Sequence, residues 1–171
     1  MQHYVVGIDL GGTKMAVGLA DDNGQVLATL RRPTNVRAGP EAILDALIQM
    51  VDELLATHEL RRHHLSAIGI GVPCLLEKGS SICRFSPNLF WRDVDIGSFW
   101  RQHFSCPLVV DNDVRLGALA EHTWGAGRGT RDLLFVAVGT GVRSGLILGG
   151  DVYRGSRGLA GEIGHMTLIP D

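Results

Sequence analysis

The sequence predicts an α/β fold built around a mixed β-sheet, and three observations carry that prediction. Residues 4–10, 14–20 and 25–32 are successive strand-like runs separated only by short turns, the pattern of neighbouring antiparallel strands. Beyond residue 40, stretches of helical period alternate with short apolar runs at 67–72 and 108–110, the pattern of buried strands. A second pair of strand runs, 133–138 and 142–148, flanks Gly139-Thr140-Gly141.

Each element has a local cause. Asp21-Asp22-Asn23-Gly24 is a turn signal between the second and third strands. Pro33 to Gly39 reads as a loop, and Pro40 then opens a helix at its favoured first position. Leu44, Leu47, Ile48, Val51, Leu54 and Leu55 give that helix one apolar stripe. Arg61-Arg62-His63-His64 is expected to end a helix, because cations suit the negative end of its dipole. Pro73 ends the run 67–72, which reads as a parallel strand, while 74–94 shows no clear period and carries a turn at Ser86-Pro87-Asn88. A weak helix is expected over Ile96 to His103. A further helix starts at about Asp113, shows Leu116, Leu119 and Ala120, and stops at Gly125 and Gly127. The expected lobe junction lies at 122–130, giving residues 1–122 and 123–171.

Composition narrows the function classes. The 171 residues are enough to bury roughly two-thirds of the unfolded surface. A net charge of −2 with scattered cations gives no bulk attraction to nucleic acid or to a membrane surface. The odd cysteine count (Cys74, Cys83 and Cys106, with no CxxC) points away from a disulfide framework and toward a reducing cytoplasm. No apolar run approaches the roughly 20 residues of a membrane span. The first strand begins at Tyr4, so neither a signal peptide nor a DNA-binding segment is expected ahead of it.

The chemistry concentrates in two glycine turns. Asp9-Leu10-Gly11-Gly12-Thr13-Lys14 reads as an ordinary hairpin turn or as a phosphate loop. In the second reading Gly11 and Gly12 let phosphate oxygens approach bare backbone N–H groups. Thr13 and Lys14 add a hydroxyl and a positive charge, and Asp9 can hold a hydrated Mg²⁺. Gly139-Thr140-Gly141 is likewise a plain glycine turn or the second jaw of a polyphosphate clamp. Asp113 alone reads as a helix N-cap, and Asn88 alone as a turn residue. Glu162 and His165 share a face if their segment is helical.

Taken together and in order, Gly7-Ile8-Asp9-Leu10-Gly11-Gly12-Thr13-Lys14, Gly69-Ile70-Gly71-Val72-Pro73, Ser86-Pro87-Asn88-Leu89, Asn112-Asp113, Gly139-Thr140-Gly141 and Gly161-Glu162-Ile163-Gly164-His165 resemble the ROK family. That family contains bacterial sugar kinases and sugar-responsive repressors, and its glucokinase members are nearest in pattern. The resemblance implies an actin-like (ribonuclease H-like) ATPase fold of two lobes, the second incomplete over these residues. It implies transfer of the ATP γ-phosphoryl to a hexose hydroxyl with Mg²⁺, in a cytoplasmic homodimer. Asp113 would be the general base, and Asn88, Asn112, Glu162 and His165 would hydrogen-bond the other hydroxyls. Asp9, Gly11, Gly12, Thr13, Lys14, Gly139, Thr140 and Gly141 would face the nucleotide.

Two further expectations follow from the resemblance. The dipole at the start of its helix stabilises the Asp113 carboxylate by about 0.3–1 kcal/mol and makes it a weaker base. The loose phosphoryl-transfer transition state makes its position matter more than its basicity. Structural Zn²⁺ would use His165 only alongside the family's downstream cysteine motif, in a full-length parent of nearly twice this size. The chain also departs from the family's usual residues. Arg115 replaces an asparagine, so that it pairs with a carboxylate or faces solvent. Arg143 and Ser144 replace glycines, so that Arg143 crowds a phosphate or contacts it, and Cys74 replaces another glycine. The alternatives to a kinase are a non-catalytic sugar-sensing regulator of the same family and an inactive truncated remnant.

Overall fold

Alternation along the first strands sets the architecture. In β1 (Tyr4–Leu10) and β2 (Lys14–Asp21), Val6, Ile8, Leu10, Met15, Val17 and Leu19 are buried on one face, while Gly7 and Asp9 lie exposed on the other. The computed structural model describes residues 3–77, 79–139 and 141–167. It divides into two compact units, Met1–Asp111 and Asn112–Asp171.

In the first unit β2 pairs antiparallel with β1 and with β3 (Val26–Pro33), and β1 pairs parallel with β4 (Leu65–Val72). The sheet order is β3-β2-β1-β4-β8, where β8 is Leu108–Asn112, so the sheet is mixed as predicted. Helix α1 (Pro40–Thr57) buries Ile43 and Met50 in addition to the predicted stripe. Its apolar face joins the buried residues of β1, β2 and β4 in one core.

Two expectations are corrected in this unit. The basic cluster does not end α1. The helix stops at Thr57, and Arg62–His64 forms a separate single turn. Arg62 instead bridges three elements: it donates to both carboxylate oxygens of Asp52 at 2.7 and 2.6 Å and to the His103 carbonyl at 2.9 Å, and it lies over the Phe104 ring. Residues 74–94 are not merely loop. They fold into a small antiparallel sheet of β5 (Leu75–Leu76), β6 (Ile82–Ser86) and β7 (Trp91–Asp95). These strands escape a period-2 reading because they are short and the β5–β6 register shifts at Leu75/Leu76. Cys74, Cys83 and Cys106 form no disulfide.

Asp95 then caps α2 (Ile96–Arg101), accepting from the Ser98 N–H at 2.9 Å, and the helix ends at Arg101, before the expected His103. Hydrogen bonds from the Ser98 hydroxyl and N–H hold the Asp95 carboxyl below its ordinary range.

The second unit holds α3 (Asp113–Thr123) and a three-stranded antiparallel sheet ordered β11-β10-β9. Its strands are β9 (Leu133–Val138), β10 (Val142–Leu148) and β11 (Asp151–Tyr153). The division at 111/112 falls at the start of α3, whereas the sequence reading placed the junction after it. The physical reason is that α3 packs on β9, β10 and β11. A Cβ added at Gly145 would come within 2.6 Å of the Ala118 Cβ and 2.7 Å of the Val114 carbonyl oxygen, so glycine is what lets α3 lie against β10. Edge strand β9 exposes Leu134, Val136 and Val138 on one face.

Candidate functional site

The first unit presents the β1–β2 hairpin. Its turn closes through the Gly11 N–H, which donates to the Lys14 carbonyl at 2.9 Å. That hydrogen is engaged inside the turn, a correction to the expectation that the whole bare backbone of 11–13 faces a ligand. The carbonyl oxygens of Gly11 and Thr13 are engaged too. The Thr34 hydroxyl donates to the first at 2.8 Å, and the Thr34 N–H donates to the second at 2.9 Å. Thr34 thus ties both carbonyls of the turn to the following loop, while Thr13, Lys14 and Asp9 stay exposed.

Asn88 belongs to the same place. A Cβ on Gly12 would sit 2.7 Å from the Asn88 carbonyl oxygen, so the two segments touch backbone to backbone. The Asn88 turn is fixed from below: the buried Ser86 hydroxyl donates to the Pro73 carbonyl at 2.8 Å, and Leu89 and Trp91 are sunk in the core. Glycine at 12 is thus required by chain packing whatever binds there. Thr34 sits in a stretch that reads only as loop, and no local signal marks it, because both its partners lie more than twenty positions earlier in the chain.

The second unit gathers the other predicted residues. Asn112, not Asp113, caps α3: its side-chain oxygen accepts from the Val114 N–H at 3.1 Å and the Arg115 N–H at 3.3 Å. Asn112 is buried, and that oxygen serves the first turn of the helix. Asp113 is the first helical residue, its Oδ1 accepting from the Val114 N–H at 3.0 Å, with its side chain 30% exposed. Arg143 on β10 approaches it, Nη1 lying 3.8 Å from Asp113 Oδ1 and Nε 4.0 Å from Glu162 Oε2.

Glu162 and His165 ride on a segment laid directly over β10. Ser144 donates to the Gly161 carbonyl from its N–H at 2.7 Å and from its hydroxyl at 3.0 Å. Side chains added at Gly161 or Gly164 would overlap the carbonyl oxygens of Ser144 and Val142. Glu162 precedes a single tight turn, Ile163–His165, and His165 is exposed. On the far side of this loop the buried Arg115 donates to the Gly158 carbonyl, so Arg115 serves the loop and does not face solvent.

At the second glycine turn, the Gly139 N–H donates to the Gly141 carbonyl at 2.9 Å. An added Cβ at Gly139 or Gly141 would meet nothing within 4 Å. Thr140 lies outside the described residues. Among the described residues no group of three or more His, Cys, Asp and Glu is placed to hold a metal ion, and no helix is long and apolar enough to cross a membrane.

Thr34→Val is expected to destabilise the fold by about 0.5–1.5 kcal/mol, the worth of the lost hydroxyl bond to the Gly11 carbonyl, seen as a lower midpoint in thermal unfolding.

Comparison with known proteins follows the same residues. The sequence profile described as ROK family matches residues 5–171. A glucokinase of Streptomyces coelicolor is 36% identical over 166 residues, covering 97% of this chain and 50% of the glucokinase. A xylose repressor of Bacillus spizizenii is 33% identical over 165 residues, covering 96% of this chain and 42% of the repressor. The crystal structure of a ROK family glucokinase from Streptomyces griseus in complex with glucose and AMPPNP superposes with a TM-score of 0.85 at 33% identity, over 98% of this chain and 52% of that one. The chain therefore spans about half the length of the relatives it matches. Its fold is that of the ROK glucokinases, the actin-like ATPase fold that the motifs implied.

Proposed function

The chain belongs to the ROK family, and from that membership we propose that it forms the first half of an ATP-dependent hexose kinase of glucokinase type. The observation that carries this reading is the arrangement at the start of α3. Asn112 supplies the helix cap, so the fold does not need Asp113 for that purpose, and Asp113 stands with Arg143 and, through it, Glu162.

The residues present fit a triphosphate. Thr34 binds the two carbonyls at the first hairpin tip, and among the described residues no atom beyond their chain neighbours crowds the Cβ position of Gly139 or Gly141. When bound, ATP supplies the γ-phosphoryl group and Mg²⁺ offsets its charge. Thr13, Lys14 and the backbone of Gly12 hold phosphate oxygens in this reading, Asp9 holds the hydrated cation, and the 139–141 turn faces the same nucleotide. Asn88, Asn112, Glu162 and His165 orient the sugar. Asp113 accepts the proton of the acceptor hydroxyl as the phosphoryl group leaves. The full-length protein is in this reading a cytoplasmic homodimer. His165 ligates Zn²⁺ only if the family's cysteine motif follows downstream, since a single imidazole cannot build a tetrahedral site.

The test is phosphorylation of a hexose panel by the full-length protein with ATP and Mg²⁺, glucose being the expected substrate. A protein that binds a hexose in calorimetry, yet neither binds ATP nor transfers its phosphoryl group, is instead a sugar-sensing regulator. Arg143 at a position where family kinases carry glycine, and the likeness to a xylose repressor, favour that second reading.

A further inference from the structure

We infer that Arg143 is a positioning residue for the proposed base, its guanidinium joining the Asp113 and Glu162 carboxylates so that one hexose can engage both. The inference rests on the reading of Asp113 as base and Glu162 as hexose ligand. Two different nitrogens of Arg143 face the two acids, Nη1 at 3.8 Å from Asp113 and Nε at 4.0 Å from Glu162. These distances exceed hydrogen-bonding range, so the link is Coulombic and leaves the carboxylate oxygens able to accept from other donors.

Without a cation nearby, two carboxylates brought to one substrate repel each other, and one of them tends to protonate or move away. A guanidinium shared between them offsets that repulsion. Its placement is fixed by its own strand. Arg143 precedes Ser144, which anchors Gly161 by two hydrogen bonds. Glu162 follows Gly161, so the strand that carries the cation also carries the loop that bears its second partner. Asp113 reaches the same point because Gly145, two residues along, lets α3 approach β10.

Ion pairs with side chains a quarter to a third exposed stabilise a fold little. The role therefore shows in binding and turnover and not in the thermal midpoint. A residue that contacted phosphate would alter the dependence on ATP, and one that positions the acids alters the dependence on hexose.

The experiment uses the full-length protein with Arg143→Met and Arg143→Lys. Glucose affinity is measured by calorimetry without nucleotide, and kcat and both KM values by steady-state kinetics. Arg143→Met is expected to weaken glucose binding about tenfold and lower kcat by about ten- to a hundredfold, with the ATP KM changed less than about twofold. The lysine variant is expected to recover most of both losses, and the unfolding midpoint to stay in place. Unchanged glucose affinity and kcat in the methionine variant would overturn the inference. So would a loss confined to the ATP KM, or a lysine variant no better than methionine. Wild-type protein that binds glucose without turnover defeats the kinase reading alone, and the glucose affinities then decide the role of Arg143. Wild-type protein that binds no hexose defeats both.

Discussion

Asp113→Asn in the full-length protein is expected to cut hexose phosphorylation by at least about a hundredfold, within the 10²–10⁴-fold range of a positioned acid–base group, while leaving the fold in place. The substitution conserves shape and the ability to accept from the Val114 N–H, and it removes the ability to take a proton. Helix α3 keeps its cap because that cap is Asn112. The expected change in stability is therefore within about 1 kcal/mol, the size of the helix-dipole contribution lost with the charge at this partly exposed position. Turnover assays, thermal unfolding and glucose calorimetry on the same sample check all three statements. A variant that retains near-normal turnover shows that another group takes the proton.

Gly161→Ala is expected to lower kcat/KM for the hexose by about a hundredfold through displacement of Glu162, with a smaller change in the KM for ATP. Two effects act together at this position. The backbone has φ of 100°, a conformation that disfavours a side chain, and the added methyl would overlap the Ser144 carbonyl oxygen. Relief requires the segment to lift from β10, and both Ser144 hydrogen bonds to the Gly161 carbonyl then break, at about 0.5–1.5 kcal/mol each. The first unit has its own core and contains no part of this contact, so that unit is expected to fold unchanged. Hexose kinetics at wild-type level in this variant would mean that the loop does not place Glu162 for binding.

Part of this molecule was legible as a string of residues. Alternation in Tyr4–Leu10 and Lys14–Asp21, the stripe from Leu44 to Leu55, and Pro40 at the head of α1 fix these elements through local stereochemistry and period alone. The ordered motifs also identified the family, since Asn88, Asn112-Asp113 and Gly161 to His165 fall in the expected sequence. The β5–β7 sheet was not legible, because strands this short gain their partners from long-range pairing and bury residues without a clean alternation. Arg61 to His64 misled because a helix end and a bridging arginine look alike until the partner, Asp52, is seen.

The sequence by itself determined the mixed α/β plan and the family, because periodicity and motif order are properties of neighbours along the chain. Only the tertiary structure decided which residue of the Asn112-Asp113 pair caps the helix and that Thr34 braces the hairpin tip. It also decided that Ser144 and Arg115 hold the Glu162 loop, and that Arg143 stands between two acids. The cap is a local choice between two adjacent candidates, but the other contacts join segments remote in sequence, and spacing along the chain carries no record of the hydrogen bond or ion pair that joins them.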